Sequence, residues 1–99
     1  MVFNLAKSSK YIKQIKYLMR NDFYKILLEV QKIEEILEDG SWLQPDIKSQ
    51  YKIERLYDQQ GNLWKCKYIY DWRVVFRVAG ETIRLIDLDK RDTIYSNLN

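Results

Sequence analysis

Apolar positions in the first part of the chain recur with helical spacing. Residues 2–6 predict a short opening strand. Ser8 or Ser9 can then cap a first helix, because a serine side chain accepts a hydrogen bond from the free amides of the first turn. The apolar positions of this helix are Ile12, Ile15, Leu18 and Met19.

A second helix follows after a short turn. Asn21 and Asp22 predict that turn and a new cap, and Gly40 can end the second helix in the left-handed conformation. Between them the helical period continues through Phe23, Ile26, Leu27, Val30, Ile33 and Leu37. Two helices joined by so short a turn are expected to pack as an antiparallel hairpin.

After Pro45 the pattern changes to that of strands. Residues 51–57 predict one strand, and residues 58–62 have the composition of a hairpin turn. Further β-rich segments are predicted at residues 63–70, 72–78 and 82–88, with breaks at Asp71 and at Ala79 and Gly80. Sequential hairpins make an antiparallel sheet, and the helical hairpin must cover one of its faces. The prediction is an α+β domain with a short N-terminal strand, a helical hairpin packed on one face, and a four-stranded antiparallel sheet. The other face of this sheet is left uncovered and can serve as a functional surface.

The composition narrows the class of protein. The 99 residues are expected to form one domain, 1–99, and the single cysteine, Cys66, excludes an internal disulfide. No apolar run approaches the ~20 residues that span a bilayer, and the first residues do not resemble a signal peptide, so a cytoplasmic location and no membrane partner are expected. The chain has no histidine, which removes the commonest general base and transition-metal ligand. Catalysis must then use lysine, arginine, tyrosine or a carboxylate.

Basic residues and a tyrosine recur through the predicted strands and the end of the chain: Lys65, Lys67, Arg73, Arg77, Lys90, Arg91 and Tyr95. Lys65 and Lys67 are expected on one face of their strand, about 7 Å apart, with Trp64 and Cys66 on the other. Successive strands of a meander lie side by side, so these cations can converge on one face. Surface lysines are also common on a half-exposed sheet, and the pattern alone leaves a merely solvated face equally open.

The first helix carries a basic stripe without an acidic residue before Asp22. Its members are Lys7, Lys10, Lys13, Lys16 and Arg20. The stripe fits either a solvated helix face or a contact with the RNA backbone, which would weaken steeply with salt. We also count Arg77 and Lys90 among the expected RNA-binding residues. Asp87 and Asp89 could be half of a carboxylate metal site, but no third ligand is evident and no metal is expected.

The segments Trp64–Val78 and Ile83–Tyr95 resemble the C-terminal half of RelE-family toxins. That family has a basic strand, an aromatic–arginine hairpin leading into an apolar strand, and a last strand ending in a basic pair with a tyrosine beyond it. The helical hairpin fits the family's order of elements. The resemblance implies the RelE-like microbial RNase fold, ribosome-dependent cleavage of mRNA, and an antitoxin partner that blocks the activity.

The resemblance also implies a catalytic set. Lys65 and Lys67 match the family's paired strand lysines, one of which is proposed as the base. Arg73 matches the arginine that contacts the scissile phosphate, and Arg91 matches the one assigned to the leaving group or the transition-state charge. Tyr95 matches a tyrosine that orients the reacting nucleotide. Asp87 and Asp89 depart from the family pattern and are expected to offset local charge.

The chemistry is coherent on physical grounds. Attack by the RNA 2′-hydroxyl requires removal of its proton, neutralisation of phosphoryl charge and stabilisation of the leaving oxygen. A guanidinium engages two phosphate oxygens at once, and a lysine crowded by other cations can act as a base near neutral pH. Such an endoribonuclease needs no metal or cofactor. Two alternatives stay open at this stage: a ParE-like poison of DNA gyrase with the same fold, and a non-catalytic module that binds RNA or the ribosome.

Overall fold

The computed structural model describes residues 2–67 and 72–90. Its helices are α1 (Ser9–Arg20), α2 (Tyr24–Asp39) and α3 (Pro45–Gln50), with a 3₁₀ turn at Ser41–Leu43. Its strands are β1 (Asn4–Lys7), β2 (Glu54–Leu56), β3 (Leu63–Lys67), β4 (Trp72–Ala79) and β5 (Thr82–Lys90). The α+β class and the order of strand, helical hairpin and meander are as predicted. No described helix combines the length and the apolar character that a bilayer crossing requires.

The sheet has five strands rather than four and is mixed rather than purely antiparallel. Its order is β1-β5-β4-β3-β2, and β2 to β5 form the predicted antiparallel meander. The opening strand pairs in parallel with β5, from Asn4 opposite Thr82 to Lys7 opposite Leu85. This pairing joins residues almost 80 positions apart, so no local signal in the sequence could reveal it.

Ser8 fastens the start of α1 to the sheet. Its hydroxyl accepts a hydrogen bond from the Tyr11 amide at 3.0 Å, which confirms the predicted cap, and donates one to the Ile86 carbonyl at 2.7 Å. The helix buries Tyr11 and Leu18. Of the apolar positions at helical spacing, Ile12 and Met19 are exposed, because the helix turns Tyr11 inward instead.

The turn between α1 and α2 is built from the backbone. Asp22 adopts the left-handed conformation, with φ of 59°, and the Phe23 amide donates to the Leu18 carbonyl at 3.0 Å. The Asp22 amide points to the Met19 carbonyl at 3.4 Å, which completes a Schellman-type ending of α1. Asp22 is therefore not the predicted cap of α2. Gly40, with φ of 82°, ends α2 as predicted.

The segment after Pro45 differs from the prediction. Residues 45–50 form α3, and the expected strand 51–57 shrinks to the three residues of β2. Proline at the first helical position has the helical φ already set and lacks only an amide hydrogen that would be unpaired there. Asp46 in the first turn adds a favourable interaction with the helix dipole.

The core lies between the helices and one face of the sheet. Buried side chains of all four long elements meet there, including Leu18, Val30, Phe76 and Leu85. Trp42 closes one side, with its ring centroid 5.5 Å from that of Trp64 and 5.4 Å from that of Phe76. A smaller cluster on the other face joins Leu63 and Val75 to Leu56 and Ile86. The sheet face opposite the helices is therefore partly apolar as well as basic.

Candidate functional site

Strand register brings the predicted catalytic positions of β3 and β4 together. Lys67 lies directly opposite Arg73, and Lys65 lies opposite Val75. Cys66 and Val74, which alternate with them, belong to the core under the helices. Lys65 and Arg73 therefore share the sheet face that points away from the helices, because side chains alternate along a strand. We call Lys65, Lys67 and Arg73 the sheet-face site.

Arg73 is the most unusual member of this site. Only 3% of the residue is exposed to solvent. Its Nη1 donates to the Trp72 carbonyl at 3.2 Å, while no described residue accepts a hydrogen bond from its Nε. A buried donor that lacks a partner is costly, and a buried charge more so. An anion that offers oxygens to this guanidinium would satisfy both the donor and the charge.

The other residues predicted for catalysis or RNA binding near this site are placed only in part. The Nζ of Lys65 lies 3.3 Å from the Glu54 carboxylate on the neighbouring strand β2. Lys90 is opposite Trp72 by backbone register, at the same end of the sheet as Arg73. Arg91 and Tyr95 lie outside the described residues.

Asp87 is drawn into an ion pair with the first helix. The register between β4 and β5 shifts after Val75, which faces Asp87, so that one residue of β5 bulges. The Asp87 carboxylate lies 2.9 Å from the Nζ of Lys10 and accepts a hydrogen bond from the Leu88 amide at 2.8 Å. Sequence reasoning missed this pair, because it joins residues far apart in the chain. Lys10 compensates the carboxylate charge next to the sheet-face site.

Arg77, expected to bind RNA, is occupied within the fold. Its Nη2 lies 2.5 Å from the Asp58 carboxylate, and its Nη1 donates to the Gly61 carbonyl. Asp58 also accepts a hydrogen bond from the Gly61 amide at 2.8 Å. The Arg77 guanidinium holds the pKa of the Asp58 carboxyl below its usual value. These contacts fix the turn between β2 and β3, and a role of Arg77 in RNA binding stays a prediction.

The predicted basic stripe divides into two parts. The prediction that it runs along the first helix is wrong for Lys7, which is the last residue of β1 and pairs with Glu34 at 3.1 Å; Lys10, on α1, pairs with Asp87. The other three members are exposed and form no ion pair with any described residue: Lys13, Lys16 and Arg20. We call these three the α1 strip. They are the members of the predicted stripe that are free to meet an external anion.

Two further observations concern metal-binding side chains and the cysteine. Within residues 2–67 and 72–90, no three metal-binding side chains gather into a group that could hold an ion. Cys66 is buried in the core, and burial raises the pKa of its thiol well above the usual range. A thiol in that form is a poor nucleophile.

Comparison with known proteins gives the fold. No protein-family model matches the chain, and no curated protein sequence does either. Among solved structures, a chain of the E. coli DinJ–YafQ toxin–antitoxin complex is similar, with a TM-score of 0.78, 14% identity, and coverage of 96% of this chain and 99% of that chain. A metal-bound toxin from Helicobacter pylori has a TM-score of 0.75 and 23% identity over 95% of this chain and 99% of its own. The archaeal RelE–RelB complex from Pyrococcus horikoshii OT3 gives a TM-score of 0.62 and 19% identity over 92% of this chain and 97% of the matched chain. The chain therefore has the fold of RelE-like toxins.

Proposed function

We propose that this chain is the toxin of a type II toxin–antitoxin system and that it cleaves mRNA on the ribosome, in the cytoplasm. The observation that carries the proposal is the buried Arg73 guanidinium, whose Nε has no acceptor among the described residues, beside two lysine positions on the open sheet face. The shared fold with chains of the DinJ–YafQ toxin–antitoxin complex and the RelE–RelB complex supports the role of a toxin with a cognate antitoxin as partner.

The proposed reaction uses the 2′-hydroxyl of the RNA itself as the nucleophile. Lys65 or Lys67 takes the proton as the 2′-oxygen attacks phosphorus. The bond from phosphorus to the 5′-oxygen then breaks, which leaves a 2′,3′-cyclic phosphate, and the 5′-oxygen takes a proton from water, while the lysine later returns its proton to solvent. Every atom is accounted for without a metal or a cofactor.

Arg73 would neutralise the charge that develops on the phosphoryl oxygens. A planar guanidinium can hold two of these oxygens at once and keeps its charge at any working pH. Because Arg73 is nearly hidden from solvent, neighbouring side chains must move aside to admit the phosphate, and the contact would then form in a poorly solvated place. Such contacts are stronger than the same contacts in water. Arg91 is proposed to assist the leaving oxygen, and Tyr95 to orient the nucleotide.

Induction in cells followed by mapping of mRNA 5′ ends tests this function directly. We expect new 5′ ends within translated regions and arrest of growth. Arg73→Ala should lower the cleavage rate by roughly 10²–10³-fold, and Arg73→Lys should recover only part of it because the ammonium cannot hold two oxygens. Arg84→Ala is the matched control, since Arg84 is an exposed arginine opposite Arg77, about 13 Å along β4 from Arg73.

Three results would contradict the proposal. Growth arrest with intact transcripts and damaged DNA would indicate a gyrase poison. Loss of cleavage in the Arg84 control to the same extent as in the Arg73 variants would show that the sheet-face site is not the reacting centre. A chain that neither arrests growth nor cuts mRNA would be a binding module only.

A further inference from the structure

Three aromatic rings connect the helical hairpin to the end of the sheet that holds the candidate site. The ring of Tyr17 on α1 lies 6.3 Å from that of Phe23, and Phe23 lies 6.5 Å from Trp72. Trp72 is the first residue of β4 and immediately precedes Arg73. The turn between α1 and α2 therefore lies at the end of the sheet where Lys67 and Arg73 are paired in register, on the helix side of the sheet, opposite to the face that carries Arg73.

The outer two rings are open to solvent although they belong to an ordered turn. Tyr17 is 45% exposed and Phe23 is 41% exposed, whereas Trp72 is buried behind them. The hydrogen bond from the Phe23 amide to the Leu18 carbonyl fixes the position of Phe23. The exposed part of the Phe23 ring has no packing partner within the fold. A flat aromatic ligand that stacks on this ring would remove that apolar surface from water.

The surface next to these rings is basic. Lys13, Lys16, Tyr17 and Arg20 lie within about 100° of one another around α1, and the cations extend over about 10 Å of its length. Asp22, in the turn, is the acidic residue at this border, and its carboxylate accepts a hydrogen bond from the Tyr24 hydroxyl at 2.9 Å. Exposed aromatic rings next to a row of unpaired cations are the features with which proteins bind single-stranded nucleic acid.

We propose that Tyr17 and Phe23 form a base-stacking site for single-stranded RNA, with the α1 strip binding the adjoining phosphates. This inference rests on the proposed function, because the RNA it would hold is the part of the message next to the bond cleaved at the sheet-face site. The strand passes from Arg73 around this end of the sheet to the helix side, where it stacks on Phe23 and Tyr17 and continues onto α1.

Binding of a labelled 12-nucleotide single-stranded 2′-O-methyl oligouridine, followed by fluorescence anisotropy, tests the proposal without cleavage. Phe23→Leu and Tyr17→Leu keep an apolar side chain but remove the flat ring, and each should weaken binding roughly 5- to 100-fold. Phe23→Trp should retain the parental affinity. Tyr57→Leu is the matched control, because Tyr57 is 90% exposed at the far end of β2 and should have no effect.

Salt dependence separates stacking from charge. The leucine variants should keep the parental slope of log affinity against log salt, whereas Arg20→Gln should reduce it by about 0.7 for the one phosphate contact removed. Circular dichroism of each variant checks that the fold is retained.

Leucine variants that bind the oligonucleotide within twofold of the parent would overturn the proposal. A double-stranded RNA is the second probe. If the parent bound it as tightly as the single strand, and the leucine variants lost the same affinity for both, the proposal would also be overturned, since paired bases cannot stack on the rings. Mapping mRNA 5′ ends with the same variants separates the two claims. A stacking effect in a chain that cuts no mRNA would refute the proposed function alone, and cleavage without a stacking effect would refute this inference alone.

Discussion

Replacement of Lys10 by methionine tests whether the α1–β5 ion pair stabilises the fold. Methionine keeps most of the side-chain length but removes the ammonium group, which lies 2.9 Å from Asp87. The Asp87 side chain is only 6% exposed, while that of Lys10 is 46% exposed. Without Lys10 the carboxylate stays shielded from water and retains the hydrogen bond from the Leu88 amide.

The expected decrease in the free energy of unfolding follows from the partial burial of the ion pair. Removing one partner of a fully buried pair costs about 3–5 kcal/mol, and an exposed pair contributes about 0–1 kcal/mol. Because one partner is buried and the other half-exposed, we expect Lys10→Met to lower the free energy of unfolding by about 2 kcal/mol. For a domain of this size that corresponds to a decrease in Tm of roughly 8–16 °C.

Urea unfolding followed by tryptophan fluorescence measures the effect, and a double-mutant cycle with Asp87→Asn isolates the pair. Asparagine keeps an oxygen for the Leu88 amide but carries no charge, so the double variant should recover about half of the loss of Lys10→Met. Lys13→Met, on the same helix without an ion-pair partner among the described residues, is the control and should stay within about 0.5 kcal/mol of the parent. Strictly additive effects of the two substitutions would refute the reasoning, since they would mean that the groups do not interact.

Three further expectations follow from single contacts. Ser8→Ala removes both the cap of α1 and its bond to β5 and should lower the free energy of unfolding by about 1–2 kcal/mol in urea titration; a change below about 0.3 kcal/mol would mean that water replaces both bonds. The pKa of Asp58 is lowered in the fold by Arg77, so the stability it contributes is present above its ordinary pKa of 3.8 and is lost as the pH falls from there through the lower pKa of the folded state. Asp58→Asn should flatten the acid side of a stability–pH profile, and an unchanged profile would contradict the pairing. Cys66 should react with a thiol reagent only as fast as the chain unfolds, because the side chain is fully buried and out of reach of the reagent, and burial also raises the pKa of its thiol; rapid labelling under native conditions would be inconsistent with its place in the core.

Local signals in the sequence predicted the elements that depend on local physics. Ser8 as a helix cap and Gly40 as a left-handed helix end follow from preferences of single residues. The meander follows from turn residues between alternating segments. The helix at Pro45 carried a usable signal, since proline followed by Asp46 is a typical helix start, but its few apolar residues gave no periodicity.

Contacts between distant parts of the chain could not be predicted in the same way. The pairs of Lys10 with Asp87 and of Arg77 with Asp58 depend on how α1 and the β2–β3 turn lie against the sheet. The sequence predicted both Lys10 and Arg77 to bind RNA, because the pattern of charges along a chain does not show which of them form ion pairs within the fold. The alternation of Lys65 with Cys66 did predict their opposite faces, since the period of a strand is independent of its neighbours.

The parallel pairing of β1 with β5 has a consequence for the newly made polypeptide. Residues 4–7 cannot find their place until residues 82–85 have been synthesised, and the helices before then have no completed sheet to cover. Contacts between residues so distant in sequence slow folding, and unfinished chains expose apolar surface meanwhile. The helical hairpin can therefore pack against a complete sheet only after β5 has been made, and the order of synthesis places the closing strand of the sheet after every element that the sheet holds in place.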